Sequence, residues 1–126
     1  MAEIFINDPM VKLLDRFISV QSRRTQLISG NIANIDTPGF TAKDLDFQNC
    51  LNISTQEAVQ HWQPTNETIE PTTILRANSA VGIDGNNVDM AQEMSELAST
   101  GIQYLFGTQM LQARFRILKM AIREGR

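Results

Sequence analysis

A helical pattern that runs unbroken from residue 9 meets Thr37-Pro38-Gly39 and cannot pass through it. Proline has no amide hydrogen for the helix ladder, it pushes Thr37 towards extended backbone, and Gly39 accepts a positive φ at no steric cost. The chain is obliged to stop its helix here. Just before the stop, Asn31-Ile32-Ala33-Asn34 supplies two short amides suited to closing a helix end, and just after it Phe40 offers a ring that can pin the emerging chain. Asn31, Ile32, Ala33, Asn34, Thr37, Pro38, Gly39 and Phe40 form a candidate turn motif. A plain helix C-terminus followed by a turn accounts for the same residues.

The helix that feeds this stop has a clear beginning. Asp8 is a good N-cap, and Pro9 at the first helical position gives up only a hydrogen bond that the helix could not make. From there Val11, Leu14, Ile18, Gln21, Thr25, Ile28, Ile32 and Ile35 recur at alternating steps of three and four, the spacing of a heptad seam. Met10, Leu13, Phe17 and Leu27 widen the seam. Lys12, Asp15, Arg16, Arg23 and Arg24 fall off it and read as a solvated face. At 1.5 Å per residue, residues 9–34 predict a rod about 39 Å long.

A second seam occupies the other end of the chain. Asp89 with Gln92 three residues later resembles a capping box, acids gather at Asp89, Glu93 and Glu96, and cations gather at Arg114, Arg116, Lys119 and Arg123, as a helix dipole favours. Between them Met90, Met94, Leu97, Gly101, Tyr104, Thr108, Leu111, Phe115, Leu118 and Ile122 again alternate threes and fours. Ile102, Leu105 and Phe106 lie off that seam, which gives the helix more apolar width than one partner covers. Gly101 and Gly107 each cost about 1 kcal/mol of helix stability against alanine, which a close approach by a neighbour would offset.

Between the seams the composition turns to Thr, Asn, Gln, Pro and Gly, too polar to fold strongly alone. Residues 41–51 suggest a short helix with Phe47, Cys50 and Leu51 on one side. Ile83-Asp84-Gly85-Asn86 is a hairpin signal between Val81 or Ile83 and Val88. The expected organisation is 1–44 for the first helix and turn motif, 45–86 for an irregular middle with room for a short β-hairpin, and 87–126 for the second helix. The fold class is mainly α, with two long terminal amphipathic helices pairing antiparallel as a coiled-coil-like bundle, because the chain must reverse between them.

Chemistry is sparse. Among 126 residues there is one Cys, Cys50, and one His, His61 beside Trp62, so neither a thiolate nor a two-histidine metal set exists. Both read as packing or loop residues. Asp84-Gly85-Asn86-Asn87-Val88-Asp89 superficially looks like a calcium loop, but its glycine is misplaced and no bidentate glutamate follows at the required spacing. A net charge of −3 and a pI near 5.0 argue against nucleic acid as a partner. No phosphate loop or nucleophile elbow is present, no apolar run reaches membrane-spanning length, and Met1 to Asp8 lacks the form of a cleaved secretory signal. No catalytic, cofactor or metal residues are expected.

Ser29-Gly30-Asn31-Ile32-Ala33-Asn34 with Thr37-Pro38-Gly39-Phe40 resembles the N-terminal signature of bacterial flagellar rod and hook proteins. Asp84-Gly85-Asn86-Asn87-Val88-Asp89-Met90, running into Glu93-Met94 and Tyr104, is similar to the start of their C-terminal helix. The resemblance covers roughly the first 47 and last 40 residues. It implies a subunit of the hollow basal-body rod across the periplasm, without catalysis, exported uncleaved through the flagellar type III apparatus. The implied partners are copies of itself, other rod proteins, and the ring and junction proteins at the rod base. On that reading Val11, Leu14, Ile18 and Ile28 meet Leu97, Tyr104, Leu111, Phe115 and Leu118 within the subunit, while Leu13, Phe17, Ile102, Leu105 and Phe106 face neighbours. The alternative is a soluble helical adaptor or secretion chaperone that binds one partner helix through the same stripe.

Overall fold

The structure is a computed structural model that describes residues 8–46, 72–76 and 80–124. Helix α1 spans Pro9–Ala33, strand β1 Lys43–Leu45, strand β2 Thr73–Leu75 and helix α2 Met90–Glu124. The architecture is mainly helical, two long helices packed against each other with a two-stranded antiparallel sheet at one end. No helix among the described residues is long and apolar enough to cross a membrane.

Each helix begins as its sequence dictates. The Asp8 carboxylate accepts the Met10 amide at 2.9 Å with Pro9 at the first helical position, and the Asp89 carboxylate accepts the Ala91 and Gln92 amides at 2.8 and 3.3 Å. Helix α1 ends at Asn34, whose side-chain amide donates to the Gly30 carbonyl at 2.8 Å. Then Phe40 donates to the Thr37 carbonyl across Pro38 and Gly39, and Gly39 has φ +72°, which is the requirement of a type II turn.

Strand β1 lies where a helix was expected over 41–51. Its register on β2 pairs Lys43 with Leu75, Asp44 with Ile74 and Leu45 with Thr73. Ala42 and Leu45 are buried while Lys43 is exposed, and the Lys43 backbone is taken by the Asn31 side chain, so this stretch is held extended. Phe47, Cys50 and Leu51 lie outside the described residues, as do His61 and Trp62. The sheet is also not the hairpin expected around Asp84-Gly85. A three-residue loop does form there, with the Gly82 amide on the Asn86 carbonyl at 2.8 Å and Gly85 at φ +80°. Its flanks are not strands, because the Asn86 and Asn87 side chains are engaged elsewhere.

The helix pair is antiparallel and fixed near both ends. Arg114 of α2 grips Asp8 at 2.8 and 2.9 Å, and Glu93 of α2 accepts from Asn31 of α1 at 3.0 Å. Between these ties the helices approach at Gly107, where a Cβ would stand 2.9 Å from Phe17 Cδ1 and 3.0 Å from Ile18 Cγ1. The side of α2 turned to α1 is therefore marked by buried Glu93, Thr100 and Gly107, with Leu97, Leu111, Arg114 and Leu118 half-buried. That face is rotated by roughly 60° from the heptad seam, at 100° per residue. The physical reason is that α2 is apolar around most of its girth, so its pattern alone does not choose a face. Small side chains that admit α1, and charged ends that anchor it, decide instead. Among the described residues the buried hydrophobic side chains are Ile28, Ala42 and Leu45, all towards the turn end.

Candidate functional site

Two features stand out: a polar latch at the turn end and an uncovered apolar face on α2. The latch is made by three asparagines. The Asn86 side-chain amide donates to the carbonyls of Asn34, Ile35 and Thr37 at 3.0, 2.7 and 2.9 Å, and its oxygen accepts the Val88 amide at 2.8 Å. Two amide hydrogens serve three carbonyls freed where α1 stops, so one hydrogen is shared. Asn87 accepts the Ala42 amide at 2.6 Å and donates to the Arg76 carbonyl at 2.7 Å, bridging the two strands beyond their ladder. Asn31 ties α1 to the first strand alone, accepting the Lys43 amide at 2.9 Å and donating to the Lys43 carbonyl at 2.8 Å.

The two sequence motifs thus meet in space. Gly39 donates to the Asp84 carbonyl at 2.9 Å, and a Cβ on Gly85 would sit 3.5 Å from the Gly39 Cα. Asn87 also donates to the Phe40 carbonyl. The turn that ends α1 and the loop that begins α2 are one unit, and Asn31, Asn34, Thr37, Gly39 and Phe40 of the turn motif take part in it directly. Pro38 and Ala33 are exposed.

A cluster of charges reinforces the latch from below. Arg24 pairs with Asp44 at 3.1 Å and with Glu96 at 2.8 Å. Arg76 pairs with Asp44 at 3.2 Å and with the fully buried Glu93. Burial pushes the Asp44 carboxyl up, but bonds from Arg24, the Leu45 amide and Arg76 outweigh it and hold the group below its usual range. Asp8 behaves alike: burial raises it, and the Met10 amide with Arg114 lowers it further than that. Pattern reasoning had placed Arg24 on a solvated face, yet it is mostly buried in this cluster. Arg76 and Glu93 carried no signal as partners, since nothing in spacing reports a contact between residues so far apart in sequence.

The helix pair has one polar level without hydrogen bonds. Gln21 and Thr100 are both fully buried, and among the described residues neither the Gln21 amide atoms nor the Thr100 hydroxyl has a partner.

The uncovered face belongs to α2. Ile102, Leu105 and Phe106 are 69%, 60% and 59% exposed, joined by Met94, Met110, Ile117 and Met120. On α1 the exposed large hydrophobics are only Met10 and Leu13 among the described residues. Of the residues expected between the helices, Ile28 is buried and Val11, Leu14, Ile18, Leu97, Leu111 and Leu118 are half-buried, but Tyr104 and Phe115 are exposed. The rotation of α2 turns those two rings out. Of the residues expected to face neighbours, Phe17 instead lies against Gly107 of its own α2, while Leu13, Ile102, Leu105 and Phe106 are open.

A pair of terminal helices clasped by a polar latch, with one helix left apolar on its outside, has the build of a structural subunit. The family model for the flagella basal body rod proteins matches residues 19–41, the second half of α1 and the turn. Relatives extend the likeness across both helices. Flagellar basal body rod proteins of Bacillus subtilis (strain 168), Aeromonas hydrophila and Escherichia coli (strain K12) are 30%, 31% and 26% identical. The alignments cover 92%, 84% and 94% of this chain and 95%, 86% and 96% of those relatives, in the same order. The chain belongs to the flagellar basal body rod protein family. In all three relatives the particular rod protein is FlgB, and it is FlgB that this chain resembles from end to end.

Proposed function

We propose that the chain is a structural subunit of the flagellar basal body rod that assembles with copies and relatives of itself through its terminal helices into the hollow shaft crossing the periplasm, and so supports motility. The observation that carries this is the outer face of α2, where Ile102, Leu105 and Phe106 find no cover among the described residues. Each apolar Å² withdrawn from water contributes about 25 cal/mol, so covering that face in an assembly is a strong drive. The latch keeps both helices aligned while it happens. Other rod proteins and the ring and junction proteins at the rod base complete the set of partners, and the flagellar type III apparatus delivers the subunit. No catalysis is assigned to it.

The test is to place Ile102→Glu with Leu105→Glu in a motile bacterium whose own rod subunit is removed. A rod subunit loses basal-body assembly and swimming while the purified chain keeps its helix content. Intact assembly and swimming would refute the proposal, as would loss of a single binary complex with the rod unaffected, which is the behaviour of an adaptor.

A further inference from the structure

The sequence has six methionines. Five lie among the described residues and all five are exposed, Met10, Met90, Met94, Met110 and Met120 each keeping between 42% and 53% of its surface open. That placement is uncommon, because methionine is among the side chains most often sealed inside a protein. The buried apolar side chains are Ile28, Ala42 and Leu45, and the side of α2 that meets α1 is marked by Glu93, Thr100 and Gly107, so no described methionine belongs to either set. Four of the five stand on α2. At about 100° per residue, Met94, Ile102, Leu105 and Met120 fall within an arc of about 80° on the side away from α1. Met90 and Met110 flank that arc, one on each side.

A thioether is an apolar group that a mild oxidant makes polar. Its sulfur lone pair attacks one oxygen of hydrogen peroxide; the S–O bond forms, the O–O bond breaks, and the hydroxide that leaves takes the proton of the transferred oxygen to become water. Sulfur is oxidised by one electron pair and the peroxide is reduced by it. We infer that Met90, Met94, Met110 and Met120 are an oxidation-sensitive modification site, at which peroxide turns the outer face of α2 from apolar to polar and withdraws the chain from assembly while its own fold stands. The inference rests on the rod-subunit reading and names a chemistry that regulates the same face.

The geometry separates an effect on assembly from an effect on the fold. A sulfoxide at an exposed position keeps its oxygen in water and leaves the Asn86 latch and the Arg24 cluster untouched, since none of their bonds runs through a methionine side chain. Once a neighbour covers the face, the same oxygen must give up its water without a partner, so each covered sulfoxide is expected to weaken association roughly tenfold. Covering also acts in reverse, because a thioether sealed under a neighbour is out of the oxidant's reach. Chains not yet incorporated are the ones marked, and methionine sulfoxide reductases return them to the usable form.

The experiment treats the purified chain, with Cys50→Ser to remove the competing thiol, with hydrogen peroxide and follows the oxygen added at each methionine by peptide mass spectrometry. Met94 and Met120 are expected to oxidise within about twofold of their rate in the urea-unfolded chain, with helix content unchanged, and at least roughly tenfold more slowly in isolated basal bodies. For function, Met94→Gln with Met120→Gln stands in for the polar sulfoxide, and Met94→Leu with Met120→Leu for a face that cannot be oxidised there. In a motile bacterium whose own rod subunit is removed, the glutamine variant should lose basal-body assembly and swimming and the leucine variant should keep both, while both purified variants keep wild-type helix content. Loss of helix content on oxidation or in the glutamine variant would overturn the inference, as would equal oxidation rates in the free chain and in basal bodies, or failure of the leucine variant. A glutamine variant that assembles while Ile102→Glu with Leu105→Glu does not would overturn it and leave the rod reading standing. If both of those variants assemble, the rod reading falls with it.

Discussion

Two glycines of α2 test the close approach of the helices, because one faces α1 and the other faces solvent. A Cβ at Gly107 would stand 2.9 Å from Phe17 Cδ1, 3.0 Å from Ile18 Cγ1 and 3.2 Å from Phe17 Cε1, whereas at Gly101 nothing lies within 4 Å. Alanine gains about 1 kcal/mol over glycine at either helix position. At Gly101 that gain is unopposed, so Gly101→Ala stabilises the isolated chain by about 1 kcal/mol. At Gly107 the methyl group must displace a ring and a β-branched side chain by several tenths of an ångström, an overpacking cost of about 1–3 kcal/mol. The net effect of Gly107→Ala is a destabilisation of up to about 2 kcal/mol. Urea unfolding followed by circular dichroism in dilute solution, where neighbours do not contribute, gives both numbers as shifts in midpoint at constant slope. If Gly107→Ala stabilises as much as Gly101→Ala, the helices do not meet at Gly107 and the rotation of α2 described above is wrong.

Other outcomes follow from the latch and the buried polar level. Asn86→Ala leaves the carbonyls of Asn34, Ile35 and Thr37 without their shared donor and should cost about 2–3 kcal/mol in the same unfolding assay, with hydrogen exchange rising first across residues 34–40. Asp44 is held below its ordinary value of 3.8, so its contribution is present above that pH and is lost as the pH falls below it through the lowered folded-state value. Stability should therefore drop as the pH is lowered below the ordinary carboxylate range, and the drop should be shallower in Asp44→Asn, which a pH series of thermal melts reads directly. Thr100→Val removes a buried hydroxyl that has no partner among the described residues while keeping its shape, and should stabilise the chain by about 1 kcal/mol. A melting temperature lowered by that substitution would mean the hydroxyl is bonded.

Elements set by local chemistry were legible in the sequence. Asp8-Pro9 and Asp89 start the helices, and Asn34 with Pro38-Gly39 ends the first, because caps and turns depend on residues only a few positions apart. The face that α2 turns to α1 was not. A heptad pattern reports a stripe when the rest of the helix is polar, and here Ile102, Leu105, Phe106 and Ile117 make the remainder apolar too. The sheet was hidden for a different reason. Lys43–Leu45 and Thr73–Leu75 are short, carry no clean alternation, and are held extended by Asn31 and Asn87 from elsewhere in the chain. Arg24 shows the same limit, since its partners Asp44 and Glu96 are 20 and 72 residues away.

The claim that the outer face of α2 is open in the free chain and covered in the rod is tested most directly by chemical accessibility at one position on it. With Cys50→Ser and Leu105→Cys combined, the thiol at 105 should react with a maleimide in the free chain as fast as in the urea-unfolded chain, and should be strongly protected in isolated basal bodies. Protection in the free, monomeric chain would contradict the account, and so would unchanged reactivity after assembly.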